Sequence, residues 1–395
     1  MTTRLFHQDP FLLSFDATVA LHAEFGGTPS VILNETAFYP ESGGQLGDRG
    51  MLAGMPVKDV QTDDAGLIHH LLEGAPPAVG TRVHGDVDKP RRRIHMALHT
   101  GQHMLSRALM DVLKAETVSS RLGDSTCTID LDKEKLDEAA LARAEDLCNA
   151  VVDDDVLIRA FFPSSEELAA LPLRRKPKVT ENIRVIQIAD FDVSPCGGTH
   201  CTRSAQVGLV RITGVERYKG KMRVTFNAGK RARDGLVQEA EALRVLGRDF
   251  TCGPLDVAAS VDKLRKDLTQ TRETLGLMRA RMAEEEADAL VKRAQAHNNK
   301  TVVALFDDGG QALLRAVAKR ITAVPDLVAI LAVKIPEGLH VMLARGSTST
   351  LDCGAFLKAL MAAGGGRGGG RAETAEGKLP PGADFHALVA SQPVT

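Results

Sequence analysis

Aromatic side chains are scarce in this chain of 395 residues, which has no Trp and only two Tyr. A surface on which the bases of single-stranded nucleic acid stack in succession is therefore not expected. A large net charge of either sign is also missing, because 49 basic residues and 51 acidic residues leave a net charge of only −2. This balance excludes a polycationic binder of the histone kind, although it permits a local basic groove.

Long apolar segments and a disulfide framework are absent as well. The longest uninterrupted apolar run, Leu327–Val333, is far shorter than the roughly 20 residues that span a bilayer. Residues 1–9 lack the apolar stretch of a secretory leader. The six Cys are scattered along the chain, so we expect reduced thiols or metal ligands. These features predict a cytoplasmic protein that does not contact a membrane.

The pattern of the sequence predicts an α+β protein with four segments. Short apolar runs between Gly and Pro indicate a small β-barrel over residues 1–88. Residues 89–232 combine helical spacing, including a helix predicted over 133–152, with alternating strands, and they predict an α+β domain. Residues 301–395 begin with a strand–helix–strand pattern, which predicts an α/β domain.

Residues 233–300 carry a heptad pattern. Apolar residues from Val257 to Met282 step by four and three alternately, with one polar interruption at Thr271. Such a seam is typical of coiled coils. It predicts a helical hairpin or a coiled coil through which two chains form a homodimer.

Two pairs of metal-ligating residues give the strongest chemical signal. His99 and His103 lie four apart on a predicted helix, so they share one face and can hold one ion. Cys196 and His200 are also four apart, in a Gly-rich stretch that indicates a tight loop. Three imidazoles and one thiolate suit Zn²⁺ best. Four protein ligands are more typical of a structural zinc site than of a catalytic one.

The segment TAFYPESGGQLGD, residues 36–48, is dense in hydrogen-bonding side chains for a plain turn. Together with HTGQH at 99–103 and CGGTH at 196–200, it resembles the editing domain of alanyl-tRNA synthetase and of the free-standing AlaX trans-editing proteins. The resemblance runs from about residue 10 to 230. The helical segment and the Gly-rich stretch GGGRGGGR resemble the C-terminal DHH-associated domain found also in long-form AlaX. By its composition alone, that stretch could instead be a flexible linker.

The resemblance implies a zinc-dependent hydrolase that deacylates Ser-tRNA(Ala), and Gly-tRNA(Ala) as a further substrate, without charging tRNA. It implies one Zn²⁺ per chain, held by His99, His103, Cys196 and His200. Thr36 would recognise the serine hydroxyl, and Gln45 would line the same pocket. The resemblance assigns no role to Gln102, and Cys201 competes with Cys196 as a ligand.

Clusters of basic residues near these motifs predict a surface that follows tRNA phosphates. The C-terminal segment would contribute to tRNA binding or to dimerisation. The residues proposed to bind tRNA are Arg91, Arg92, Arg93, Arg174, Arg175, Lys219, Lys221, Arg367 and Arg371.

Two other functions remain open at this stage. The threonyl-tRNA synthetase editing domain shares the HxxxH and CxxxH arrangement, so the substrate could be another mischarged tRNA. The zinc could also be structural, in a tRNA-binding protein without catalytic activity. The segment at residues 36–48 favours the alanine system.

Overall fold

The computed structural model describes residues 2–177 and 179–392. The chain divides into two compact units, Met1–Leu246 and Gly247–Thr395. The mixed α+β class predicted from the sequence is confirmed. The finer division into four domains stays a prediction, and helix α5 (Lys230–Asp249) spans the division between the two units.

Six strands near the N-terminus close into a barrel in the order β2-β3-β7-β6-β5-β8. Alternate positions of β8 are buried, as in a strand that faces a core on one side only. Apolar side chains fill the interior, where the rings of Phe15 and Phe38 pack edge to face at 5.7 Å. The elements are β1 (Thr3–Arg4), α1 (Leu5–Gln8), β2 (Ser14–Phe25), β3 (Thr28–Leu33), β4 (Glu35–Thr36), β5 (Gly50–Leu52), β6 (Met55–Thr62), β7 (Ile68–Leu72) and β8 (Arg82–Val87).

Helix α2 (Lys89–Leu113) follows the barrel and is buried over most of its middle turns. Asp88 caps its N-terminus by accepting a hydrogen bond from the Arg91 N–H at 3.0 Å, with Pro90 in the first turn. Lys114, in the left-handed conformation, ends the helix. Because α2 lies in the core, its polar side chains near the middle are held in a dry environment.

Two antiparallel sheets contact α2, in the orders β14-β15-β10-β9 and β11-β12-β13. The predicted second helix is confirmed as α3, and β14 and β15 form an antiparallel hairpin within the stretch where alternating strands are predicted. The hairpin β9–β10 was not predicted. The elements are β9 (Thr117–Leu122), β10 (Cys127–Leu131), α3 (Glu138–Asp153), β11 (Ile158–Phe161), α4 (Ser165–Ala170), β12 (Val185–Ile188), β13 (Asp192–Pro195), β14 (Val210–Tyr218) and β15 (Lys221–Ala228).

The second unit contains a five-stranded sheet in the order β16-β17-β18-β20-β19. Strands β16 and β17 are parallel and are joined by α7, as the strand–helix–strand pattern predicts. The Gly-rich stretch forms edge strand β19, paired with β20, so its interpretation as a flexible linker is wrong. The elements are α6 (Val257–Ala296), β16 (Thr301–Phe306), α7 (Gly310–Ile321), β17 (Val328–Ile335), β18 (Gly338–Arg345), α8 (Cys353–Gly364), β19 (Arg367–Gly370), β20 (Thr374–Leu379) and α9 (Phe385–Ala390).

The heptad seam lies on one continuous helix, α6. Its middle residues are exposed in the single chain, for example Leu268 at 48% and Met278 at 61%. Self-association through this seam stays a prediction. Along the described part of the chain, none of the helices is both long and apolar enough to cross a membrane.

A buried ion pair joins Arg92 of α2 to Asp48, which lies between β4 and β5. The guanidinium of Arg92 is fully buried and donates from Nε to the Asp48 carboxylate at 3.1 Å. Its remaining nitrogens donate to the carbonyls of Pro10, at 2.8 Å, and Ala37. Arg92 therefore has a structural role, which corrects the expectation that it contacts tRNA.

Replacement of Arg92 by Met should lower the free energy of unfolding by about 3–5 kcal/mol, because Asp48 then remains as a buried, unpaired charge. Arg93→Met is the matched control, since Arg93 is exposed and lies over the Phe11 ring at 4.4 Å. Its loss should cost about 1 kcal/mol or less. Denaturant titration of both variants measures the difference, and equal losses would contradict this role for the ion pair.

Candidate metal centre

Helix α2 and the loop after β13 bring four metal-ligating side chains together. His99 and His103 lie one turn apart on α2, and Cys196 and His200 come from the loop. One ligand atom from each lies within 4.8 Å of all the others. The Cys196 Sγ is 3.4 Å from His99 Nε2 and 3.3 Å from His200 Nε2. The structure thus assembles the predicted cluster, which could hold a metal ion.

The hydrogen bonds of Gln45 fix the tautomer of His99. Gln45 Nε2 donates to Thr199 Oγ1 at 2.8 Å, and its Oε1 accepts from the Thr199 N–H at 3.2 Å. This Oε1 lies 2.7 Å from His99 Nδ1, which must therefore carry the proton. The Nε2 of His99 then presents its lone pair to the cluster. Gln45 positions a ligand, and its predicted pocket-lining role stays a prediction.

A carboxylate stands behind His103. Asp192 Oδ2 lies 3.5 Å from His103 Nδ1, and Asp192 Oδ1 accepts from Arg174 Nε at 2.7 Å. Both ring nitrogens of the buried His103 lack a hydrogen-bond partner among the described residues. A buried imidazole without partners is costly. Since Nδ1 faces the Asp192 carboxylate, the orphaned Nε2 and the N₃S donor set both fit a bound metal ion.

The remaining histidine is held by α2. His200 Nδ1 lies 3.2 Å from Thr100 Oγ1, which also accepts a hydrogen bond from the Cys201 N–H at 3.0 Å. Cys201 is outside the four-residue cluster, and burial raises the pKa of its thiol to about 11. Gln102 donates to Ser106 Oγ at 2.7 Å on the same helix. Cys201 is therefore part of the packed core, whereas Cys196 is the thiol that belongs to the cluster.

The electrostatics of the cluster favour a thiolate. Burial opposes ionisation of Cys196, but the imidazoles of His99, His200 and His103 hold its pKa well below its usual value. Burial keeps the pKa of His200 well below its ordinary value and lowers that of His99. Burial also acts to lower the pKa of His103, but Cys196 and Asp192 raise it overall. The thiolate and the neutral imidazoles of His99 and His200 are in the forms that bind metals, and His103 would release its proton when a metal binds.

Thr36 is the first residue of the segment 36–48, which also contains Gln45. Its side chain is fully buried, and its Oγ1 accepts from the Phe38 N–H at 3.1 Å and lies 2.8 Å from His70 Nε2. His70 Nδ1 lies 3.0 Å from the Val31 carbonyl and so donates to it. Burial lowers the pKa of His70 to about 4. The Thr36 hydroxyl must therefore donate its proton to His70 Nε2, which leaves one lone pair of its oxygen unused.

The predicted tRNA-binding residues divide into two groups. Arg91 donates to Asp124 at 2.7 Å, and Arg174 is paired with Asp192 as described above. These two, like Arg92, are engaged within the protein. The exposed group consists of Arg93, Arg175, Lys219, Lys221, Arg367 and Arg371.

Sequence analysis missed three residues that surround the cluster: Asp192, Thr199 and Arg184. An acidic residue at the start of a short strand, four positions before Cys196, was a usable signal for Asp192. Thr199 lies inside the CGGTH motif but is not a metal ligand. Arg184 precedes β12, and nothing in its sequence context marks it.

Replacement of Asp192 by Asn should weaken metal binding about 10- to 100-fold, because the partner behind a ligating His orients it and raises its basicity. Competition with a chelator for Co²⁺ or Zn²⁺ measures the change. Arg174→Met is the control, because it breaks the same ion pair and leaves the carboxylate beside His103. An equal loss in both variants would show that the ion pair, and not the contact with His103, accounts for the effect.

Comparison with known proteins agrees with this geometry. Residues 12–91 match the family model described as tRNA synthetases class II (A), and residues 183–225 match the threonyl and alanyl tRNA synthetase second additional domain. The second match begins just before Arg184 and includes Cys196 and His200. It therefore covers the half of the cluster that the loop supplies.

Several curated relatives match over 96% of this chain. It is 31% identical to the alanine–tRNA ligase of Archaeoglobus fulgidus and covers 42% of that protein. It is 27% identical to the alanyl-tRNA editing protein AlaX-L of Pyrococcus horikoshii and covers 95% of it. The chain thus spans less than half of the ligase and nearly all of the editing protein. The chain is thus similar to the AlaX-L editing protein over nearly its whole length and to the corresponding part of the alanyl-tRNA synthetases.

Proposed function

We propose that this protein is a zinc-dependent deacylase that hydrolyses Ser-tRNA(Ala), and also Gly-tRNA(Ala), without aminoacylation activity. One observation carries the proposal: three imidazoles and a thiolate converge within 4.8 Å. The segment at residues 36–48 reaches this cluster through the 2.7 Å contact between Gln45 and His99. The match to the AlaX-L editing protein supports alanyl-tRNA as the system.

The cluster suits ester hydrolysis. When bound, Zn²⁺ would supply Lewis acidity, which polarises an ester carbonyl or lowers the pKa of water. Gln45 and Asp192 orient the imidazoles of His99 and His103. Three of the four residues are buried, and Cys196 is partly exposed, so the substrate would approach from the side of the loop at Cys196.

Selectivity against alanine would depend on Thr36. Its hydroxyl proton is donated to His70, so a substrate hydroxyl must itself donate to the free lone pair of Thr36 Oγ1. Serine can make this bond, whereas alanine leaves the buried oxygen without it. Sites that hydrogen-bond a substrate hydroxyl reject analogues that lack it by up to roughly 10⁴–10⁵. Glycine has no hydroxyl, so its removal needs a different explanation.

The number of ligands favours a second candidate. Four protein ligands are typical of structural zinc, which would make this a non-catalytic tRNA-binding protein. A third candidate is editing in the threonyl system, since one matching family model covers both threonyl and alanyl enzymes. Turnover of defined substrates separates all three.

Turnover of Ser-tRNA(Ala), Gly-tRNA(Ala) and Ala-tRNA(Ala) should be compared for the native protein, Thr36→Val and Thr36→Ser. We expect the native protein to spare Ala-tRNA(Ala). Thr36→Val should reduce serine turnover about three- to tenfold, the value of one hydrogen bond. Thr36→Ser keeps the hydroxyl and should retain the serine preference.

An equal loss on all three substrates would contradict the recognition role of Thr36. Absence of turnover in the zinc-loaded native protein would favour the structural role of the metal. A mischarged threonine tRNA is assayed beside these three substrates, and a preference for it would favour the third candidate.

A further inference from the structure

The buried guanidinium of Arg184 lies against the loop that carries Cys196 and His200. Arg184 is only 5% exposed and immediately precedes β12. Its Nη1 donates to the carbonyls of Cys196, at 3.1 Å, and Gly198, at 2.8 Å. One side of the guanidinium therefore anchors the backbone of the loop.

The other side of this guanidinium is unused. Its Nε and Nη2 are buried, and neither has a hydrogen-bond partner among residues 2–177 and 179–392. These two nitrogens form one edge of the guanidinium, which we call the Arg184 edge. Two parallel N–H groups on such an edge match two oxygens of a single phosphate or carboxylate.

In two other arginines near the loop, the corresponding nitrogens already bind a carboxylate. Arg174 uses Nε at 2.7 Å and Nη2 at 3.4 Å to bind Asp192. Arg203 uses Nε at 2.7 Å to bind Asp155. Burying these two N–H donors without a hydrogen-bonded anion is costly, so the unfilled Arg184 edge indicates a ligand.

We propose that the Arg184 edge binds the phosphate of the terminal nucleotide of the tRNA acceptor end. This inference rests on the proposed function. In an aminoacyl-tRNA the amino-acid carboxylate is consumed in the ester, so phosphate is the two-oxygen anion nearest the scissile bond. A phosphate held beside the metal loop would place the ester on the terminal ribose near the cluster.

Aromatic surface lies beside the same loop. His7 Nε2 is 2.9 Å from the Gly197 carbonyl, and the His7 ring is 6.1 Å from that of Phe162, which is 54% exposed. An exposed ring such as that of Phe162 can stack on an unpaired base. The Arg184 edge itself is shielded from solvent, so binding requires a local opening that weakens the apparent affinity. The change between variants is then more informative than the affinity itself.

The test measures binding of adenosine 5′-monophosphate and of adenosine to the metal-loaded protein by calorimetry. In Arg184→Lys, which keeps the charge and loses the paired donors, the monophosphate should bind about 10- to 100-fold more weakly. Adenosine should bind within about twofold of its native affinity. Arg203→Lys, whose arginine is already paired, should change neither.

A merely structural role of Arg184 would weaken both ligands equally, and that result would overturn the proposal. No preference of the native protein for the monophosphate over adenosine would also overturn it. Free serine is titrated as a third ligand: if Arg184→Lys weakens binding of serine instead of the monophosphate, the edge binds a carboxylate and the assignment is wrong. If Arg184→Lys does not bind metal, Arg184→Gln replaces it, and the same quantity is compared: the ratio of the affinity for the monophosphate to the affinity for adenosine.

These measurements need no turnover, so they are independent of the test of the proposed function. A protein that deacylates Ser-tRNA(Ala) but shows an unchanged ratio would lose only the phosphate assignment. A protein without deacylase activity would lose the proposed function itself.

Discussion

The close approach of a glycine-lined loop to helix α2 is the constraint on which the site depends. A Cβ atom at Gly198 would overlap Cε1 of His99, so no larger residue fits there without moving the loop or the ring. This approach brings Cys196 and His200 to the face of α2 that carries His99 and His103. Since α2 is itself buried, the four side chains meet where few other polar partners compete for them.

Most of the charged groups around the cluster are paired with a group of opposite charge. One thiolate faces three imidazoles, and Asp192 behind His103 is balanced by Arg174. The contacts with His103 and Arg174 outweigh burial and lower the pKa of Asp192 to about 2, so it stays ionised at neutral pH. Arg184 has no such partner in the described part of the chain. With Zn²⁺ bound, the site would carry excess positive charge, which suits a polyanionic substrate.

Much of this arrangement could be predicted from the sequence, because local spacing determines it. The i, i+4 pair on α2 and the four-residue spacing in the Gly-rich loop identified all four members of the cluster. The contacts behind them could not be predicted. Gln45 bonds His99 and Thr199 across 54 and 154 residues, and no local pattern encodes such pairings. Arg92 shows the same limit, since a basic run predicts an exposed face and only the fold reveals the buried Asp48 partner.

The central claim is that one metal ion is bound by three histidines and one cysteine. X-ray absorption spectroscopy of the zinc-loaded protein tests it most directly. The account predicts three nitrogen neighbours at about 2.0–2.1 Å and one sulfur at about 2.3 Å, with the sulfur lost in Cys196→Ala. A shell of oxygen ligands, or a sulfur that persists in Cys196→Ala, would contradict it.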